Sequence, residues 1–408
     1  MGSRGDVQPY VALGKGLAAE GHSVSIATFD PFRDLVETHG LTFRPIPDPL
    51  AAWEGSFEWK KYQSPQGGVW SKLRTLRKLL LDARPHLARN FDSCVEACRG
   101  SDVILSSFTG LPGPYVAEVL GAFHLWALLQ PCTPTREYPY FLSPWQASRN
   151  SLYNLASHRI AGVAFQWLFN PVIQSWRRGA AVAIPGKQGP SIYGFSPVLI
   201  HRPKDWGADV HITGGWELDT TTVWTPPDLL VRRLAAWKEP ICLCHYGITG
   251  WRSPETGLDL LVEALRLSGR CGIIVSRLAK NGIEELSDSC LLIDAAPFEW
   301  LFPRVCLILH HGGAGTTATA LRTGRPCIVL ASFFDQLFWA TALNRLGVAP
   351  EPVDPKRVSA ETLARVIREA SLRTDYAANA KSCGDLMARE DGVSAAVDVL
   401  RGYLAESQ

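Results

Sequence analysis

A chain of 408 residues, 46% of them apolar, is longer than one hydrophobic core usually spans and predicts two domains. Lysine and arginine number 41 against 39 aspartates and glutamates, so the +2 balance gives no global attraction for nucleic acid or an acidic partner. No apolar run reaches the roughly 18–20 residues of a membrane span and no signal-peptide core opens the chain, which predicts a cytoplasmic protein.

In chain order, MGSRGDVQPYVALGKGLAAEG reads as a glycine-flanked turn entering a helix over 7–20. Tyr10, Leu13 and Leu17 share its apolar stripe, and Gly21 stops it. SVSIATF follows as a strand, DPFRDLVETHG as a helix closed by Gly40, and LTFRPIP as a short extended piece. Alternating helix and strand is the rhythm of a doubly wound sheet. Residues 70–91 are basic and amphipathic, with Leu73, Leu76 and Leu80 set between Lys72, Arg74, Arg77 and Lys78. The simpler reading is a helix with a solvated charged face; the alternative is a membrane-surface or acceptor-lid role. SDVILSS reads as a strand over 102–107, whereas 133–180 carries many aromatics and few regular signals.

Residues 200–228, rich in proline, glycine, tryptophan and threonine, read as an interdomain connection. The rhythm then restarts: ICLCHYG, a helix over 255–268, CGIIVS, LLIDA, VCLILH, a helix over 315–323, CIVLAS and a helix over 335–346. The ten cysteines form no CxxC pair and no zinc-ligand spacing, so they read as reduced and mostly buried, with Cys242 and Cys244 on one face of a strand.

The strongest chemical signal is VCLILHHGGAGTTATALRTGRPCIVLAS, residues 305–332, which reads strand, glycine loop, helix, strand. Gly312, Gly313 and Gly315 allow close backbone approach, and the unpaired N–H groups of the following helix favour a phosphate. His311, Thr316 and Thr317 add side-chain donors. The loop matches neither the lysine-bearing P-loop nor the dinucleotide fingerprint, which disfavours kinase and dehydrogenase readings; a glycine turn that only packs the helix on its strand is the plainer alternative. Asp335, in FFDQLFWATALNRLG, caps a helix on local pattern. In an open parallel sheet its loop also faces the crevice of the glycine loop, where Asp335 and Gln336 suit sugar hydroxyls. Asp6 divides in the same way between an N-cap and a catalytic acid facing a cleft.

HHGGAGTT with the following FDQ.FW and LGV, GSRGDVQPYVALGKGLAAEGHSV, TPTREYPYF, YN at 153–154, SWRRG, PKDW, TGGWELD and EWLFPRV occur in an order that resembles one family. It is that of inverting nucleotide-sugar glycosyltransferases with two Rossmann-like α/β domains facing across a cleft, the GT-B fold. Fungal sterol 3-beta-glucosyltransferases and actinomycete antibiotic glycosyltransferases are similar. The resemblance implies an N-terminal acceptor domain over 1–218, a donor domain over 219–385 and a C-terminal helix over 386–408 that can pack back on the first domain. It implies Asp6 as general base, with Ser3 and Arg4 on the same loop. His311 and Thr316 with the glycine loop would hold the donor diphosphate, Asp335 and Gln336 the sugar, and Trp300 would lie beside them. The co-substrate would be a nucleotide sugar, UDP-linked by family default, with no cofactor; the chain has no Asp-x-Asp pair, in keeping with metal-independent transfer.

Three positions depart from the family pattern. ICLCHYGITGW replaces the usual strand and turn of the donor domain, leaving Gly247 and Thr249 to face the diphosphate beside the bulk of His245 and Tyr246. Ser276 and Arg277 stand where relatives carry a glycine-tryptophan pair near the base, so dTDP- and GDP-sugars remain open, with Arg277 able to stack on a base. Phe298 precedes EWLFP where a histidine is usual. The N-terminal aromatics, including Trp53, Trp59, Trp70, Trp126, Phe141, Trp145, Phe165 and Trp167, read mostly as core, with the remainder suiting a sterol, terpenoid or other lipophilic acceptor. The partners expected are therefore a nucleotide sugar and a lipophilic small molecule, with transient membrane-surface contact allowed and no nucleic acid. Two further readings stay open, a nucleotide-sugar epimerase or hydrolase on the same fold and a catalytically silent nucleotide-sugar binder. Relatives place an apolar strand ahead of the GSRGD loop, where this sequence shows only Met1, so the expectation is either a sequence that lacks that strand or a first sheet built without it.

Overall fold

The computed structural model describes residues 4–48, 74, 75, 77, 78, 81, 84–108, 110, 112–180, 189–218, 224–248, 251, 253–332 and 335–406. Ser3, Thr249, Trp53, Trp59 and Trp70, and with them residues 71–73, 76, 79, 80, 82 and 83 of the basic stretch over 70–91, lie outside these residues.

The donor-side half is built on one continuous sheet. Its strands are β7 (Ile241–Cys244), β8 (Gly272–Val275), β9 (Ile283–Ser287), β10 (Cys290–Ile293), β11 (Leu307–His310) and β12 (Cys327–Val329), in spatial order β12-β11-β7-β8-β10-β9. All pairs are parallel except the β9 edge, which the sequence does not announce. Helices cover both faces, so β7, β8, β10 and β11 are buried at every residue, the burial that unbroken runs such as GIIV and LILH need. Cys242 and Cys244 share one face with their sulfurs 3.9 Å apart, and all ten cysteines are free thiols, none of them exposed.

The N-terminal half is divided. Among the described residues β1 (Ser25–Thr28) pairs only with β2 (Thr42–Pro45), while β3 (Val103–Ser106), β4 (Phe123–Leu128), β5 (Ser191–Tyr193) and β6 (Val210–Ile212) form a separate parallel sheet. Between β1 and β3 lies a cavity of about 450 Å³, lined by Ser25–Thr28 on one side and Val103–Leu105 on the other. β1 and β3 each present an unpaired edge to it. The buried hydroxyl of Thr28, which also lines the cavity, has no hydrogen-bond partner among the described residues.

Three sequence expectations need correction. The opening segment is helical from Arg4 to Ala19, so Arg4 and Asp6 lie in the first helical turn; Arg4 bonds Gln8 one turn on, and Pro9 sits inside the helix. The aromatic-rich stretch contains a 30-residue helix, Ser151–Ala180. Apolar side chains on both its faces, together with Gly162 and Pro171, blur the helical period that would reveal it. β6 likewise falls inside the segment expected to be only a connection.

The halves touch through Tyr138 against Phe338 and Phe195 against Trp339, at ring distances of 5.6 and 5.9 Å, and Arg345 donates to the Gln146 carbonyl at 2.9 Å. The C-terminal helix Gly392–Glu406 packs on the first helix, with Arg401 paired to Glu20 at 2.7 Å.

Candidate active site

The strand order reverses between β7 and β11, and the loops leaving these two strands meet there. Gly247, after β7, has φ +74°, and a β-carbon on it would stand 2.8 Å from the His311 ring. Gly313 is equally close on the other side, at 2.4 Å from Nε2. The imidazole is thus held between two positions that only glycine fits. Burial lowers the His311 pKa, favouring the neutral ring, and its Nδ1 is buried without a hydrogen-bond partner among the described residues.

Gly313 is also the N-cap of the helix Ala314–Arg322 and supplies no side-chain cap. The first N–H groups of that helix therefore point, with its positive dipole end, into the space beside His311. Gly312 turns the chain at φ +86°, and a β-carbon there would strike Val329 at 2.7 Å and the Gln336 carbonyl at 3.0 Å. His310, which the sequence reading passed over, fixes this turn: its Nδ1 accepts the Gly312 amide at 3.0 Å. Burial, reinforced by neighbouring His311, pushes its pKa down to about 3. Only its neighbour in the HisHis pair marks it in the sequence; the alternation of a strand turns the two rings to opposite sides.

Thr316 is half-buried beside the loop, Gly315 is exposed, and Thr317 is fully buried, its hydroxyl without a hydrogen-bond partner among the described residues. Of the two threonines expected as donors, Thr316 is therefore the accessible one. Tyr246 donates to the Asp294 carbonyl, and the Arg277 guanidinium lies 5.5 Å from the Tyr246 ring. The structure thus stacks Arg277 on an aromatic of its own chain. His245 bonds Ser276 at 2.8 Å and stacks on Trp251 at 5.4 Å, so the bulk of the unusual turn is directed into the protein. Trp300 packs edge-on against Trp224 at 5.0 Å, under Arg304.

Asp335 occupies the N-cap of the helix Gln336–Arg345, yet its side chain makes no capping bond. One carboxylate oxygen accepts instead from Trp339 Nε1 at 2.9 Å. Burial raises its pKa, opposed by the Trp339 bond, and the negative field of Asp6 raises it further while Gln130 donates a hydrogen bond. Gln130 follows β4, so a group from each half converges on this carboxyl. Gln336 is buried and accepts the Ser332 amide at 2.8 Å, which holds the loop after β12 in shape. Asp6 also acts on Tyr10, whose hydroxyl donates to the Ala127 carbonyl at 2.8 Å. Asp6 and Asp335 are hence two carboxyl groups within each other's field, one from each half. Trp339 belongs to the FDQ.FW motif and reaches Asp335 from one helical turn on, whereas Gln130 carries no motif that would have marked it, since its place depends on how the halves meet.

The glycosyltransferase family 28 N-terminal domain matches residues 1–139, and the erythromycin biosynthesis protein CIII-like C-terminal domain matches residues 260–391. The chain belongs to the GT-B glycosyltransferases. A sterol 3-beta-glucosyltransferase of Cryptococcus neoformans is 31% identical over 98% of this chain. The chain spans 26% to 34% of the length of such curated fungal relatives. Among solved structures, the kitacinnamycin glycotransferase matches with a TM-score of 0.69 at 16% identity, covering 98% of this chain and 95% of that one. The spinosyn rhamnosyltransferase SpnG, complexed with thymidine diphosphate, matches with a TM-score of 0.62 at 20% identity over 97% and 96%. The described residues contain no cluster of three or more metal-ligating side chains.

Proposed function

We propose that the chain is an inverting glycosyltransferase that moves a hexose from a nucleoside diphosphate sugar to a hydroxyl of a lipophilic acceptor. The observation that carries this reading is the pairing across the two halves: Asp6 lies within the field of Asp335, while the open helix N-terminus and His311 occupy the adjoining donor loop. A carboxylate for a proton and a nest of donors for a departing diphosphate are the two needs of such a displacement.

In this reading Asp6 removes the acceptor hydroxyl proton as that oxygen attacks the anomeric carbon from the face opposite the nucleotide. The bond to the diphosphate breaks with its electron pair, and the charge that develops is stabilised by His311, Thr316 and the helix N–H groups. Asp335 and Gln336 lie where the sugar hydroxyls need an acceptor and a donor. A lipophilic acceptor is supported by the sterol-glucosylating relatives and by the ring cluster of Phe108, Phe141 and Phe165 behind β3. The base is UDP by family default; the thymidine diphosphate of one structural neighbour keeps dTDP in the set.

One observation favours a second reading, a catalytically silent nucleotide-sugar binder: Asp6 sits on a helix that borders the cavity between two unpaired strand edges. Incubation with UDP-, dTDP- and GDP-sugars and a mixture of sterols and terpenoids, following nucleotide release and acceptor mass, separates the two. Acceptor-dependent release that Asp6→Asn abolishes is the expected result. Donor binding without product in any mixture establishes the silent binder, and release without acceptor a hydrolase.

A further inference from the structure

The helix Ser151–Ala180 has two unlike faces. Inward, Phe165 and Phe169 stack 4.6 Å apart, and Phe165 meets Phe108, just beyond β3, at 5.8 Å. Outward, Leu152, Ile160, Val163 and Trp167 are 70%, 69%, 67% and 47% exposed. With exposed Ala156 they form an unbroken apolar stripe, in steps of four, four, three and four residues. Trp145, 68% exposed, lies just ahead of the helix. Single exposed apolar side chains need no explanation, but a stripe of this length along one helix does.

Charge identifies what it meets. From residue 138 to residue 204 the sequence contains seven lysines and arginines and no aspartate or glutamate. The rest of the chain then carries 34 basic against 39 acidic residues, so positive charge is concentrated in this segment. Arg159 is exposed beside Ile160, and the Arg77 guanidinium lies over the Trp167 ring at 4.6 Å, bringing a second cation against the same face. The described residues contain no helix long and apolar enough to cross a membrane, and this one is no exception. An apolar stripe with tryptophans and one-sided positive charge matches the boundary of a negatively charged bilayer, where apolar side chains enter the acyl region and cations meet the headgroups.

We propose that this face docks on an anionic lipid surface, with the helix lying in the plane of the interface. The proposal rests on the glycosyltransferase reading in one respect: the inward Phe165 face would then adjoin the path of a lipophilic acceptor drawn from the bilayer.

The test is co-sedimentation of the full chain with phosphatidylcholine vesicles made with and without phosphatidylserine. Binding is expected only to the anionic vesicles and is expected to weaken with added salt. The double substitution Ile160→Ser/Val163→Ser should reduce it by about tenfold or more, from the burial of two aliphatic side chains. Leu372→Ser, equally exposed on another helix at 75%, should leave it unchanged. All variants should melt with the unmodified chain, since the altered side chains face solvent. No binding to either vesicle, or binding that Ile160→Ser/Val163→Ser does not change, overturns the proposal. So does a concentration-dependent dimer in sedimentation velocity that the same substitutions abolish, because the face is then a contact between copies of the chain. Vesicle binding needs no turnover: its loss beside acceptor-dependent nucleotide release removes this proposal alone, and its presence without release leaves it standing while removing the catalytic reading.

Discussion

The two sheets place their loops at equivalent positions but are built unequally. On the donor side β7 and β11 sit side by side at the switch point, buried at every residue, and the loops above them are locked by His310, Gly247 and Gly313. On the acceptor side the corresponding place, between β1 and β3, is a cavity, and β1 is buried at Thr28 alone. Among the described residues the acceptor-side strands are thus split into two sheets where the donor-side strands form one. The first helix, which carries Asp6 in its first turn, borders that opening.

The comparison is most sharply tested by disabling one half at a time. Asp6→Asn should lower acceptor-dependent turnover by about 10²–10⁴-fold while donor affinity, measured by calorimetry, stays within about twofold. His311→Ala should instead lower turnover by about 10²–10³-fold and weaken donor binding as well, because its partners lie wholly in the donor half. Equal loss of donor affinity in both variants would break the division of labour.

The next effect concerns the cavity itself. A fusion that adds about five apolar residues in extended form ahead of the first helix gives β1 and β3 a common partner, and each buried aliphatic side chain contributes about 2 kcal/mol before its ordering cost. The melting temperature should rise by about 4 °C or more, with turnover rising too. Calorimetry showing no change would mean that the cavity is closed by other means. Gly247→Ala acts on the opposite half. A φ of +74° and the His311 ring leave no room for a methyl group, so a loss of about 1–2 kcal/mol and a raised donor KM are expected, read by thermal melts and initial rates.

Acid should affect both halves. Burial lowers the pKa of His124 and of His158 to about 4, and that of His310 to about 3. Each stays neutral when folded but binds a proton when unfolded below about pH 6.5, so stability is fully present above that pH and is lost as pH falls toward the folded values. Each contributes a loss of about 2 kcal/mol by pH 5. His124→Asn should flatten the melting temperature between pH 7 and 5 on the acceptor side, where His124 bonds Ser106 at 2.6 Å.

Much of this protein was legible in its sequence because the relevant forces are local. Unbroken apolar runs such as GIIV and LILH dictate strands buried on both faces, and a glycine loop running from strand to helix dictates an open helix N-terminus whatever surrounds it. The motif order from GSRGD to FDQ was enough to indicate two Rossmann-like halves. The long helix was not legible, since apolar residues on both faces erase the periodicity that marks a one-sided helix. Tertiary structure alone decided that Gly247 closes on His311, that Gln130 reaches the Asp335 carboxyl, and that β1 and β3 face each other across an opening. These arrangements join residues separated by tens to hundreds of positions, and the chain's local preferences contain no term for who meets whom across a sheet or a cleft.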